Sequence, residues 1–198
     1  MELILASQSA SRRAMLDAAG IAYAALPARV DEDAVKLALR AEGRSTRDLA
    51  DALAELKAVK VSRQHPQALV LGCDSTVAAP DGTQLDKAET RDEAAAQLRA
   101  LRGATHRLHS AAVLAQGGQP IWRVVESAKL TVRPFSDAWL ETYLDAEWPA
   151  IRACVGGYRL EALGAQLFTR IEGSHFTVLG MPLLQVLDQL RVLGAIAA

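Results

Sequence analysis

The stretch LILASQSASRRAML, residues 3 to 16, places serines and two adjacent arginines directly after a short apolar run. If the chain passes here from strand to helix, Arg12 and Arg13 lie in the first turn of that helix. The helix dipole disfavours positive charge there by about 0.3–1 kcal/mol per group, unless a bound anion compensates. Backbone N–H groups, the hydroxyls of Ser7 and Ser9 and two guanidinium groups together suit phosphate oxygens. An ordinary serine cap with two solvated arginines fits the pattern equally well.

Acidic side chains form a second candidate group. Glu32 lies in the run Asp31-Glu32-Asp33, and Asp74 follows the buried-strand pattern ALVLGC at residues 68–73. Carboxylates at the carboxyl ends of strands face the ligand crevice of an α/β sheet, and two of them near phosphates suit Mg²⁺. Helix capping is the simpler interpretation of Asp31 and Asp33, and a turn is the alternative for Asp74. We favour a functional position for Asp74, at the tip of the strand, because so apolar a run precedes it.

Lysines could add positive charge to such a site. Lys57 falls among the apolar positions of a predicted long helix, four residues after Leu53, whereas Lys60 is expected to face solvent. Lys87 follows a predicted hairpin. Isolated lysines are usually solvated, so their position alone does not assign them a role.

Histidines and cysteines offer no competing site. His106 and His109 lie three apart on a predicted strand, so their side chains point to opposite faces and cannot share a metal ion. Cys73 and Cys154 do not form a disulfide framework, and Cys73 is expected to be a buried core thiol. The sequence has no glycine-rich dinucleotide loop, no Walker loop and no zinc-ligand spacing.

The composition limits the functions to consider. The chain has 198 residues, 51% of them hydrophobic, and a formal net charge of −1. This fits one domain over residues 1–198 with a sizeable core and argues against a nucleic-acid binder. The sequence shows no signal-peptide pattern and no apolar run that could span a bilayer. We therefore expect a soluble, cytoplasmic protein with no membrane partner.

The predicted elements alternate between helix and strand, which indicates an α/β domain with a mixed sheet. Ser9, Ser45 or Thr46, Thr90 and Ser136 are the expected starts of helices. Helices are predicted from Ser9 to before Gly20 and over residues 34–41, 46–64, 91–102, 137–145 and 182–193. Strands are predicted over residues 3–6, 21–26, 68–73, 105–115, 121–133 and 165–171. A hairpin is predicted within residues 76–86.

Seven stretches, in the same order, resemble the Maf family of nucleoside triphosphate pyrophosphatases, and together they cover nearly the whole chain. They are LILASQSASRRAML, VDED around Glu32, LAELKAVKV with Lys57, LGCDSTV with Asp74, LDKAET with Lys87, GGYRLEALG and GSHFTVLGMPL. The resemblance implies a single elongated α/β domain with a mixed twisted sheet, flanking helices and a central cleft, similar to inosine triphosphate pyrophosphatase.

The resemblance also implies an activity, in which water attacks the α-phosphorus of a nucleoside triphosphate and releases the monophosphate and diphosphate. It implies a divalent cation, Mg²⁺ or Mn²⁺, held by Glu32 and Asp74, with Asp74 also acting as general base. Arg12, Arg13, Lys57 and Lys87 would stabilise charge on the leaving diphosphate. Further phosphate contacts would come from Ser7, Ser9 and Arg13. Members of the family are often dimers, so a homodimer is an option here.

Several positions depart from the family's pattern. Ala10 stands in place of a proline, Ser11 of an arginine, Ser75 of a threonine, Asp86 of a glycine, Ala88 of a proline and Glu161 of a glutamine. In the family, the positions of Ser11, Ser75 and Glu161 help to select the base. A glutamate at the position of Glu161 resembles the branch of the family that acts on 7-methyl-GTP, whereas the serines at positions 11 and 75 differ from the residues of that branch. A carboxylate can accept two N–H bonds from guanine, so we expect a guanine-type base rather than uracil or thymine.

Two other classes of function remain as alternatives. The chain could be a regulatory module that senses nucleotides and affects septum formation without hydrolysis. The pair of carboxylates speaks against it, because a pure binder has little use for a general base beside phosphates. A nucleic-acid module is the weakest alternative, because aromatic residues do not alternate with the basic ones.

Overall fold

The computed structural model of the chain describes residues 2–197, which form one seven-stranded mixed sheet covered by helices. The strands are β1 Leu3–Leu5, β2 Ala24–Ala25, β3 Leu69–Ala78, β4 Gln84–Leu85, β5 Thr105–Gln116, β6 Gln119–Val132 and β7 Phe168–Glu172. The α-helices are α1 Ala10–Ala18, α2 Glu32–Ala41, α3 Thr46–Gln64, α4 Arg91–Leu101, α5 Asp137–Ile151, α6 His175–Val178 and α7 Leu183–Val192. A 3₁₀ helix, Leu163–Leu167, precedes β7. The predicted α/β class with a mixed sheet is confirmed.

The strand order is β2-β1-β3-β5-β6-β7, and β4 pairs with the far end of β3. β1 runs parallel to both β2 and β3, whereas β3, β5, β6 and β7 pair antiparallel. The parallel part requires crossover helices and the antiparallel part uses hairpins, so both kinds of connection occur in this mixed sheet. The β5–β6 hairpin turns at Gly117 and Gly118, both with positive φ, as its glycine pair predicts.

Strand β3 differs from its prediction in a way that matters for the site. We expected it to end at Cys73 with Asp74 at its tip, but it continues to Ala78 and pairs with β5 from Val70 onward. Asp74 is therefore in mid-strand, opposite Ala111, and both the tip and the turn interpretations are wrong. Within residues 2–197, β1 pairs with residues 69–71 and β4 with residues 77–78 on the other edge of β3. Asp74 thus lies at a gap in the strand pairing.

Helix α3 packs closely against β3 and brings Lys57 over the sheet. A Cβ at Gly72 would lie 2.2 Å from the carbonyl oxygen of Ala54, so this approach requires glycine in the strand. Successive side chains of a strand alternate between faces, so Asp74 lies on the same face as Gly72, towards α3. Lys60, expected to face solvent, is instead half-buried and donates a 2.5 Å hydrogen bond to the carbonyl of Arg29.

Apolar clusters cover both faces of the sheet near this point. Leu69 and Leu71 pack with Met15 and Leu16 of α1, whereas Val70 packs with residues of α3 on the opposite face. A further cluster joins α4 and α5 to the outer strands. No helix in residues 2–197 has the length and apolar character that crossing a membrane requires.

The remaining differences lie in the last third of the chain. Helix α5 continues past the predicted end at Asp145 to Ile151, because Glu147 and Ile151 extend its buried face. The strand predicted over residues 165–171 is divided between the 3₁₀ helix and β7. Helix α6 was not predicted, and with four residues it is too short to show periodicity.

Candidate active site

Glu32, Lys57 and Asp74, here called the carboxylate–lysine cluster, meet in the cleft between α2, α3 and β3. The Nζ atom of Lys57 lies 2.5 Å from Oδ1 of Asp74 and 2.7 Å from Oε1 of Glu32. The side chains of Lys57 and Asp74 are only 10% and 11% exposed, and that of Glu32 is 33% exposed. Three residues predicted separately along the sequence are therefore brought together in one site.

The charges within this cluster compensate one another. A buried ammonium group is costly unless it is paired, and Lys57 has two carboxylate partners. Burial by itself would raise the pKa of Glu32, but the charge and hydrogen bond of Lys57 hold it below its ordinary value. Lys87 and Lys36 lower the pKa of Glu32 further. Glu32 is therefore ionised at neutral pH.

Arg12 points into the same cleft from the first turn of α1, on the opposite side of β3 from Lys57. Its Nε donates to the carbonyl of Gly180 at 2.8 Å, Nη1 to Oγ of Ser7 at 3.2 Å and Nη2 to Oγ of Ser75 at 3.2 Å. All of these partners are uncharged, and the salt bridges within residues 2–197 do not include Arg12. The guanidinium group is thus held in place while its charge remains available to an anion.

A chain of hydrogen bonds below the cleft supports Arg12. The hydroxyl of Ser75 shares a 2.9 Å hydrogen bond with that of Ser110, which donates to the carbonyl of Thr177 at 2.7 Å. The hydroxyl of Thr177 donates in turn to Glu126 at 2.6 Å. Sequence reasoning missed Ser110 and Thr177. The available signal was a serine directly before the apolar run AAVLA, at residues 111–115, and the structure shows that this serine is fully buried.

A cavity of about 430 Å³, here called the basic cavity, opens beside the carboxylate–lysine cluster. Four cationic side chains and one carboxylate contribute to its wall, together with the serines of the first loop. Its polar lining consists of Ser7, Gln8, Ser9, Arg12, Arg29, Glu32, Lys57 and Lys87. Ser9 caps α1 and accepts from the backbone N–H of Arg12 at 3.5 Å, as predicted. The excess of positive charge suits a polyanion.

A second cavity, here called the adjoining cavity, shares Ser9 and Arg12 with the basic cavity and extends to the other end of the cleft. Its wall includes all three positions that the resemblance connects with base selection. They are Ser11, Ser75 and Glu161, and the apolar part of the wall includes Leu108, Tyr158, Val178 and Leu179. The wall thus combines apolar side chains with polar and charged ones, among them Arg159, and such a combination suits a ligand with a flat apolar ring and polar edges, as a nucleobase has.

Comparison with known protein families gives a match over nearly the whole chain. A family model described as Maf-like protein matches residues 2–193. The chain belongs to the Maf family. A relative from Caulobacter vibrioides is 55% identical, over 97% of this chain and 96% of its own length, and one from Sphingopyxis alaskensis is 51% identical over 98% of both chains. Both carry the name nucleoside triphosphate pyrophosphatase.

Solved structures match this Maf-family chain more weakly. A HAM1 protein from Coxiella burnetii has a TM-score of 0.45 and 16% sequence identity, over 67% of this chain and 73% of that one. A similarity at this level assigns no activity to the chain.

One predicted residue of the Maf motif is not brought to the cleft. Arg13 is exposed on α1 and contributes to neither cavity, and its backbone carbonyl accepts from the hydroxyl of Tyr23. Successive helix positions are about 100° apart, and this rotation places Arg13 on the exposed face of α1 while Arg12 faces the cleft. In the acidic motif, Asp31 caps α2 by accepting from the N–H of Ala34 at 3.0 Å, which confirms the capping interpretation.

His106, His109 and Cys73 are buried in the core. His106 hydrogen-bonds the hydroxyl of Tyr158 at 2.8 Å and His109 that of Ser127 at 2.7 Å. Burial lowers the pKa of His106 to about 4 and also lowers that of His109. Burial raises the pKa of Cys73 to about 11, so it is a core thiol, as predicted.

Asp86, one of the departures from the Maf pattern, has a contact that the sequence did not indicate. Its carboxylate lies 3.1 Å from Nζ of Lys36 and 2.6 Å from Nη2 of Arg40, both on α2. Burial works to raise the pKa of Asp86, but these cations keep it below its ordinary value. Asp86 thereby links the segment before Lys87 to the helix that carries Glu32.

Proposed function

We propose that this chain hydrolyses a nucleoside triphosphate to the nucleoside monophosphate and diphosphate. The observation that carries the proposal is the convergence of Glu32 and Asp74 on Lys57, beside a cavity that also receives Arg12 and Lys87. Carboxylates and cations side by side suit a reaction that needs both a base and stabilisation of phosphate charge. The names of the relatives support the same reaction.

The two carboxylates also fit a divalent cation. Glu32 and Asp74 both contact the ammonium group of Lys57, so the two carboxylates face the same part of the cleft, where they would hold one ion. Among residues 2–197 no cluster of three or more acidic, histidine or cysteine ligands occurs. Mg²⁺ and Mn²⁺ tolerate this, since Mg²⁺ usually keeps several waters and also binds substrate phosphates. When bound, the ion would neutralise phosphate charge and orient the triphosphate.

Asp74 is the proposed general base. It lies at the gap in the pairing of β3, where a water can approach the carboxylate from the cleft. Asp74 would accept a proton from that water as the water attacks the α-phosphorus, and the bond from the α-phosphorus to the bridging oxygen would break. Lys57 holds the carboxylate in position through the 2.5 Å contact.

Positive and hydroxyl groups would act on the phosphates. Arg12 is already oriented by three uncharged acceptors, so binding an anion requires little reorganisation. Lys57 and Lys87 would stabilise the charge that develops on the leaving diphosphate. Ser7 and Ser9 would donate to phosphate oxygens. Arg13 has no part in this proposal, because it faces away from both cavities.

The adjoining cavity supports a guanine-type base. Glu161 contributes to its wall and offers two carboxylate oxygens to the adjacent N–H groups of guanine. Uracil and thymine have no matching pair of donors. We therefore expect GTP, or a GTP modified on its base, to be hydrolysed faster than UTP.

The decisive experiment combines a substrate panel with isotope labelling. The purified protein is incubated with Mg²⁺ and canonical or modified nucleoside triphosphates in H₂¹⁸O. We expect equal amounts of monophosphate and diphosphate, with ¹⁸O in the monophosphate only. Label in the diphosphate would show attack on the β-phosphorus and would contradict the mechanism.

The Asp74→Asn variant tests the base itself. It should keep the fold and lower kcat by about a hundredfold or more, the usual contribution of a general base. Asp188→Asn, which removes an exposed carboxylate on α7, is the matched control and should keep full activity. A folded Asp74→Asn protein with normal kcat would refute the assignment. If no nucleotide were hydrolysed with Mg²⁺ or Mn²⁺, the nucleotide-sensing module connected with septum formation would become the better interpretation.

A further inference from the structure

Within residues 2–197, Arg29 is the only residue other than glycine whose backbone lies in the left-handed region, with φ at 48°. This conformation costs an L-residue about 1–2 kcal/mol, and glycine would adopt it without that cost. Such strain persists only where surrounding contacts enforce it, and it is concentrated at functional sites. The presence of a large charged residue here therefore calls for an explanation from its side chain.

The contacts around Arg29 enforce its backbone. On the N-terminal side, Leu26 donates its N–H to the carbonyl of Leu5 at 3.0 Å, and Ala28 is buried in the apolar cluster under α3. The carbonyl of Arg29 accepts from Nζ of Lys60. Shortly after it, Asp31 caps α2. The chain must turn sharply between the edge of the sheet and α2, and Arg29 lies at that turn.

Arg29 lines the basic cavity together with Ser7, Lys57 and Lys87. The residue is exposed, and the salt bridges within residues 2–197 do not include it. A guanidinium group without a carboxylate partner, at the mouth of a cationic cavity, can bind a phosphate with two parallel N–H bonds.

The order of groups along the cleft indicates which phosphate this is. Of these two cavities, Glu161 lines the adjoining cavity but not the basic one, Arg12 lines both, and Arg29 lines the basic cavity but not the adjoining one. A nucleotide with its base near Glu161 and its α-phosphate near Arg12 would extend its outer phosphates towards Arg29. We propose that Arg29 binds the β- and γ-phosphates of the substrate and so favours triphosphates over monophosphates, an inference that rests on the proposed function.

The test uses Arg29→Gly, which removes the guanidinium and relieves the backbone strain at once. Calorimetric titration with inorganic triphosphate, and separately with GMP, measures binding without turnover. We expect affinity for inorganic triphosphate to fall about tenfold, the usual effect of one charge-assisted contact, and affinity for GMP to stay unchanged. We also expect Tm to rise by about 2 °C, whereas loss of a merely structural arginine would lower it.

Two further variants complete the design. Arg107→Ala removes one exposed charge elsewhere, on β5, and should leave binding of triphosphate unchanged. Arg29→Lys keeps the charge and should restore part of the affinity. Equal weakening by Arg29→Gly and Arg107→Ala, or unchanged affinity in Arg29→Gly, would overturn the role of Arg29. A failure of the proposed function is separate, because it would show as wild-type protein that binds triphosphate but releases no diphosphate from any nucleotide.

Discussion

Replacing Lys57 by Met would leave the two carboxylates of the cluster without their shared cation. Lys57 and Asp74 are almost inaccessible to solvent, so water cannot compensate for the lost partner. Removing one member of such a buried pair lowers the free energy of unfolding by about 3–5 kcal/mol. Loss of the contact with Glu32 lowers it by less than about 1 kcal/mol more, because the side chain of Glu32 is a third exposed. We expect the free energy of unfolding to fall by at least about 3 kcal/mol, which for a chain of this length lowers Tm by roughly 6–12 °C.

A double-mutant cycle in chelator-containing buffer measures this coupling. Asp74→Asn removes the buried negative charge with little change in shape, so Lys57→Met should cost much less in the Asp74→Asn background. Urea unfolding followed by circular dichroism gives the free energy of unfolding for all four proteins. We expect the double variant to be at least about 2 kcal/mol more stable than the sum of the single effects predicts. Adding Mg²⁺ should stabilise Lys57→Met more than the wild type, because a bound cation replaces the missing charge.

The exposed ion pair between Asp188 and Arg191 is the control for this cycle. Its carboxylate is largely solvated, so Asp188→Asn should change the free energy of unfolding by less than about 0.5 kcal/mol. A Lys57→Met protein within 1 kcal/mol of the wild type would refute the reasoning. Strict additivity in the cycle would do the same, since it would mean that Lys57 and Asp74 do not interact.

Two further predictions concern the scaffold around the site. Gly72→Ala should lower the free energy of unfolding, measured by urea titration, by more than about 3 kcal/mol, because the new Cβ would overlap the carbonyl of Ala54 and displace α3 from β3. A variant with near-normal stability would show that α3 can move away at little cost. The pKa of His106 is about 4 in the folded chain, below its ordinary value of 6.5, so the unfolded chain takes up this proton at a higher pH than the folded chain. The contribution of neutral His106 to the free energy of unfolding is therefore fully present above pH 6.5. It is lost as the pH falls towards 4, by up to about 1.4 kcal/mol per pH unit. His106→Phe should flatten that dependence between pH 7 and pH 5, and an unchanged slope in urea titrations would contradict it.

Local signals in the sequence predicted most of the secondary structure. Ser45 and Thr90 form capping boxes with the residues three positions later, and each of these interactions lies within one helical turn. Helical spacing of apolar residues identified α3, and the pair Gly117-Gly118 indicated the turn between β5 and β6. The motifs around Glu32, Lys57 and Asp74 likewise indicated the family, because each motif is a short contiguous stretch.

The sequence failed where pairing with a distant segment decides the outcome. A strand that continues through a charged residue has no local signature in the sequence, so Asp74 was predicted at the end of its strand. In the structure, pairing with β5 continues along β3 beyond Asp74 to Ala78. Arg12 and Arg13 are equivalent in the sequence pattern, yet only Arg12 faces the cleft, where Gly180 and Ser75 accept from it.

The sequence by itself therefore determined the class of fold, the family and the set of charged groups available for chemistry. Only the tertiary structure decided which of those groups meet. Lys57 lies between Glu32 and Asp74 because α2, α3 and β3 converge, and Arg29 adopts a strained conformation because the chain must turn there towards α2. Such contacts depend on packing between segments that are far apart in the sequence, and no short stretch of residues carries that information.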